Sequence, residues 1–129
     1  MKQTIQFVAA TCTALSALIA PAIAQQGITR TPLSTTDFPP GYQSVMGIAQ
    51  IPANICFDRH THPGIENAYL LEGEIVLKIE GKADQRLKAG DAVQIPAGAP
   101  HVGCTTASAV KVLTVHIVEK GKPLASPAP

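Results

Sequence analysis

Short runs rich in Val, Ile, Leu and Thr follow one another from Tyr42 to Val118, each stopped by Gly or Pro, and none holds a helical period. A chain reversed this often has no length over which to build an amphipathic helix face. Strands need only a two-residue period over a few positions. The expected strands cover 42–51, 55–62, 66–71, 74–80, 85–88, 92–95 and 109–118, with another starting at His101. Gly73 reads as a hairpin turn between 66–71 and 74–80, and 81–84 as a second turn. The Pro-Ala-Gly-Ala-Pro stretch over 96–100 is too kinked for a central strand. Many short strands with turns between them predict an all-β sandwich or barrel in one domain.

The ends read differently from the middle. Lys2 precedes an apolar run from Ile5 to Ala20, and Ala22-Ile23-Ala24 supplies small residues at a cleavage position. Residues 1–24 are therefore expected to be a signal peptide, cut before Gln25. The run is too short to span a bilayer, and Pro21 interrupts it. The mature protein is expected to be periplasmic or secreted, with no membrane attachment after cleavage. Residues 25–41 read as a polar N-terminal arm, in which 29–33 forms either an edge strand or a free extension. Residues 42–118 form the domain, and the Pro- and Ala-rich 119–129 reads as a disordered tail. The net charge of +1 and the lack of a basic patch argue against nucleic acid as a partner. A homodimer is left open, with the arm pairing onto a neighbour's sheet edge.

Chemistry concentrates at four positions. His60, His62 and Glu66 lie within one seven-residue stretch, and His101 follows the Pro-rich kink. In a strand, His60 and His62 point to the same face. The turn at Pro63-Gly64 can bring Glu66 back to the same centre. Three imidazoles and a carboxylate suit a divalent transition metal. Scattered surface histidines would not place three of the chain's four His at such positions. Cys56 and Asp58 share the parity of His60 and His62. Asp58 is read as a solvated rim residue ahead of a role orienting an imidazole. His116, in the last strand, is read as structural, with acid–base work as the lesser alternative. Export would leave Cys56 and Cys104, a pair read first as a disulfide. Thiolate ligation and buried free thiols are the alternatives.

These residues resemble the two motifs of the cupin superfamily. The first motif runs Gly, five residues, His-x-His, three or four residues, Glu, six residues, Gly. Here His60, His62, Glu66 and Gly73 match it, with Asn54 in place of the opening Gly. The second runs Gly, five residues, Pro-x-Gly, two residues, His, three residues, Asn. Gly90, Pro96, Gly98 and His101 match it, with Thr105 in place of the closing Asn. The resemblance implies a jelly-roll barrel and carries over His60, His62, Glu66 and His101 as ligands of one metal, commonly iron, manganese, nickel, zinc or copper. Four protein ligands on an octahedral ion leave two positions for a small molecule.

Two function classes follow. One is a metal-dependent enzyme of dioxygenase, decarboxylase or isomerase type acting on a small oxygenated compound, with Glu66 as a candidate proton acceptor. The other is a non-catalytic module that binds or senses a small ligand or the metal itself.

Overall fold

The computed structural model describes residues 27–129. The signal peptide expected over 1–24 lies outside the described residues. Ten strands run in chain order: β1 Thr29–Thr36, β2 Tyr42–Ile51, β3 His60–Thr61, β4 Gly64–Glu72, β5 Glu74–Ile79, β6 Gln85–Lys88, β7 Ala92–Ile95, β8 His101–Thr105, β9 Val110–Glu119 and β10 Ser126–Pro127. They form two five-stranded antiparallel sheets, β1-β2-β9-β4-β7 and β10-β3-β8-β5-β6. This is the jelly-roll arrangement, with each sheet built from strands distant in sequence. No helix among the described residues is long and apolar enough to cross a membrane.

Period-two burial explains the packing. In β4 the positions 64, 66, 68 and 70 are buried while Tyr69, Leu71 and Glu72 are exposed. In β5 the buried positions are Ile75, Leu77 and Ile79. In β9, Val110, Val112, His116 and Val118 are buried. The inner faces of the two sheets thus meet through aliphatic side chains, joined by Ile51, Leu87 and Ile95. Burying each such side chain contributes roughly 1.5–3 kcal/mol.

Several expectations are corrected. Strands β4 and β5 do not form a hairpin: they lie in different sheets. Gly73 is the corner where the chain crosses between sheets. Its φ is 82°, and a Cβ there would lie 2.2 Å from the carbonyl oxygen of Ala109, so both backbone angle and space require glycine. The strand expected over 55–62 shortens to His60–Thr61, preceded by an isolated bridge at Cys56. The loop before it is fastened instead by Thr105. That hydroxyl donates to the Pro52 carbonyl at 2.7 Å and accepts from the Ile55 N–H at 3.1 Å. Thr105, which departs from the family motif, thereby holds the loop containing Asn54, whose φ of 58° suits Asn.

At the chain ends, one of the two readings of the arm holds and the reading of the tail does not. The arm pairs within its own chain, as β1 against β2 along the sheet edge. Pro32 is tolerated there because an edge strand has N–H groups with no ladder partner. The tail over 119–129 is not disordered: Ser126 pairs with Thr61 and Pro127 with His60, and the Ala128 N–H donates to the Arg59 carbonyl at 3.0 Å.

Candidate metal centre

Two cross-strand pairs build the site, one from each sheet. His60 in β3 lies opposite His101 in β8. Glu66 in β4 lies opposite His116 in β9. Side chains directly opposite in an antiparallel pair share a face, so each pair projects inward together. Gly64 allows the close approach of β4 to β9, since a Cβ there would sit 1.9 Å from the Ile117 carbonyl oxygen. His62 follows β3, and its carbonyl accepts the Gly98 N–H at 2.9 Å. That bond ties the first histidine pair to the kink before His101. Gly98 can turn there with φ of 70°.

The four imidazoles and the carboxylate are all buried. Ring centroids are 4.3 Å apart for His60 and His101, 4.8 Å for His60 and His62, and 4.6 Å for His62 and His116. Oε2 of Glu66 lies 3.0 Å from Nε2 of His62, 3.5 Å from Nε2 of His101 and 3.6 Å from Nε2 of His116. The structure brings all four sequence-predicted residues together. It also adds His116, making two overlapping sets of potential ligands: His60, His62 and His101, and His62, Glu66 and His116.

Backbone carbonyls orient the rings. Nδ1 of His60 faces the Asp58 carbonyl at 2.8 Å, that of His62 the Leu124 carbonyl at 2.6 Å, and that of His101 the Ala99 carbonyl at 3.0 Å. A carbonyl only accepts, so each Nδ1 donates and a neutral ring turns its Nε2 lone pair inward. Nε2 of His62 is buried and has no aligned hydrogen-bond partner among the described residues, although the Glu66 oxygen is close. Inward lone pairs beside a carboxylate form an electron-rich centre that a cation completes. The residues present therefore fit a divalent transition metal, with Nδ1–H···O=C bonds of the kind that support ligand imidazoles.

Electrostatics favour the neutral, ligating ring at His60, while at His62 the nearby carboxylate favours a proton that a bound cation would replace. Burial lowers the His60 pKa to about 4, outweighing the Asp58 carbonyl that favours the charged ring. Burial also works against charge on His62, but the Glu66 carboxylate and the Leu124 carbonyl overcome it and raise that pKa. Burial pushes the Glu66 carboxyl up, yet the imidazoles of His101, His116 and His62 hold it well below the usual carboxylate range. His60 is thus a neutral ring, ready to ligate, throughout the neutral range. In metal-free protein, nitrogen-detected NMR is expected to show His60 titrating near pH 4 and His62 above its ordinary value. Between about pH 6.5 and 4 the unfolded chain binds more protons at position 60 than the folded one. The stabilising contribution of His60 therefore falls as pH drops through that window. Titration of His60 near 6.5 would contradict this burial.

The neighbouring residues take other roles. Cys56 and Asp58 do not share the buried face of His60 and His62, because 52–59 is irregular and parity fails there. Both are exposed, and Asp58 contributes only its carbonyl. Cys56 and Cys104 are joined in a disulfide, which removes thiolate ligation. Gly103 leaves room for the Phe57 ring, whose centroid is 5.4 Å from that of His60. The place of His116 was signalled only by its parity with Val110 and Val112. The Leu124 carbonyl, a backbone group from the tail, carried no sequence signal.

A family model described as a cupin domain matches residues 48–116. Among solved structures, a DMSP lyase from Ruegeria pomeroyi is similar at 23% identity and a TM-score of 0.68, over 78% of this chain and 51% of the lyase. The chain thus spans about half the length of that enzyme. A polyketide cyclase from Streptomyces resistomycificus is similar at 21% identity and a TM-score of 0.65, over 81% of this chain and 73% of the cyclase. A double-stranded β-helix protein from Klebsiella pneumoniae is similar at 15% identity and a TM-score of 0.65, over 94% of this chain and 99% of that one. At these identities the likeness is one of fold. No curated protein matches the chain in sequence.

Proposed function

This chain belongs to the cupin family, and from that membership and the site above we propose that it is an exported, metal-dependent enzyme acting on a small oxygenated compound. One observation carries the reading: inward Nε2 atoms and a buried carboxylate converge on the wall of a cavity large enough for a small molecule. A site that served structure alone would be closed by its protein ligands and would need no adjoining space. His60, His62, Glu66 and His101 would hold one divalent ion of iron, manganese, nickel, zinc or copper. When bound, the ion supplies Lewis-acid polarisation of a substrate oxygen.

The chain's own groups would do the rest. The Asp58, Leu124 and Ala99 carbonyls hold the rings in one tautomer. His116, whose Nε2 lies 3.6 Å from Oε2 of Glu66, would take or return a proton at that carboxylate's edge of the site. Fold neighbours that include a lyase and a cyclase support an enzymatic reading without selecting a reaction. The Cys56–Cys104 disulfide supports export, because such bonds persist in oxidising compartments.

The experiment is metal content by elemental mass spectrometry on protein taken from the compartment to which its own cell delivers it. Near one transition metal per chain is expected, and it directs the search towards metal-dependent turnover. No metal, with none taken up on reconstitution, would favour the alternative of a non-catalytic ligand-binding module.

A further inference from the structure

The strands that bring the ligands together also line a cavity of about 420 Å3 that opens to the surface. That lies within the range of roughly 300–1,000 Å3 usual for small-molecule sites. Its walls include Leu70, Ile75, Leu77, Ile95, Val110 and Val112, which are also core residues of the domain. The sequence explains why a core is hollow. Aromatic residues make up 4% of the chain and Trp is absent, so aliphatic side chains line the space between the sheets without filling it. An apolar void forfeits dispersion contacts on its lining and holds water poorly. An apolar body placed there would restore those contacts.

The polar groups on the wall are not spread evenly through this chamber. Arg30 and Glu66 are its charged side chains; His62, His101 and His116 adjoin Glu66, and His60 lies on the same wall beside His62 and His101. Arg30 comes from β1, the edge strand that the sequence reading left as a possible arm. Arg30 thus adds positive charge at the rim on the side of the metal centre, and most of the remaining wall is aliphatic.

We propose that the ligand of this site is an amphiphile: a carboxylate or similar anionic oxygen head held by the metal centre and Arg30, and an apolar body occupying the aliphatic chamber. The proposal rests on the metal-centre reading for its head group and on the chamber alone for its body.

The test is calorimetric titration of the metal-loaded full chain with butyrate, hexanoate and octanoate, and with 1-octanol. Affinity is expected to rise about fourfold per added methylene. Octanoate is expected to bind at least about tenfold more tightly than 1-octanol, the effect of one charge-assisted hydrogen bond. A series that is flat with chain length would overturn the chamber assignment, and equal affinity for 1-octanol would overturn the head-group assignment. Arg30→Gln should narrow the preference for octanoate over 1-octanol, and an unchanged preference would remove Arg30 from the proposal. Val112→Phe should abolish the chain-length dependence while metal stoichiometry stays the same. Ala68→Leu, on the neighbouring strand β4, serves if that variant melts abnormally. Repeating the series on metal-stripped protein separates the two readings. Persistent chain-length dependence in protein that never takes up metal would retain the chamber and sink the metal centre. Stoichiometric metal with a flat series would do the reverse.

Discussion

His101→Ala is expected to lower metal affinity by more than about 100-fold and leave the barrel folded. The side chain is 1% exposed and sits opposite His60 in the β3–β8 pair. Removing it takes one imidazole from the first ligand set and leaves the Ala99 carbonyl without its donor. Losing even a partner that merely supports a ligand costs about 10–100-fold in affinity, so losing the ligand itself should exceed that range. The fold should survive because the aliphatic rows of β4, β5 and β9 remain intact. A destabilisation of about 1–3 kcal/mol is the usual size for such a buried truncation. Elemental analysis together with a thermal melt reads both effects. Full stoichiometric metal in this variant would show that His62, Glu66 and His116 suffice, shifting the ligand assignment to that second set.

Cys56→Ser with Cys104→Ser is expected to destabilise the protein by roughly 4 kcal/mol in the chain-entropy model. The bridge spans 48 residues, and its removal frees a correspondingly long loop in the unfolded ensemble. Both cysteines flank ligands: Cys56 precedes His60 in the loop that Thr105 fastens, and Cys104 follows His101 in β8. The bond therefore links the two segments that carry the first ligand set. Denaturant unfolding compared with the oxidised parent measures the loss, and a free-thiol count on the denatured parent should give none before reduction. A difference below about 1 kcal/mol would mean that the bridge constrains little in the unfolded chain.

Much of the ligand set was legible because it is local. His60-x-His62 and the three residues before Glu66 place like-facing donors on neighbouring backbone, whatever surrounds them. Strand positions in β2, β6 and β7 followed from alternation and turn residues for the same reason. The 55–62 segment misled because alternation implies a strand only if a partner is available along its length. Here only Cys56 and the His60–Thr61 pair find one. Gly73 misled in a related way. A glycine between two β runs suits a hairpin or a corner equally, and the packing of two sheets decides between them. The Pro- and Ala-rich tail lacks a hydrophobic pattern of its own, yet it returns to β3 and supplies the Leu124 carbonyl to His62.

By itself, then, the sequence determined an all-β chain, its approximate strand positions and four donors of the right chemistry, since each depends on period, turn residues and close spacing. Only the tertiary structure decided that β4 and β9 pair with His116 opposite Glu66, that the tail fixes the His62 ring, and that aliphatic walls leave a chamber beside the donors. Those features depend on registers between strands far apart in the chain. Such registers are set by burying all inner faces at once, and no short stretch of residues carries that information.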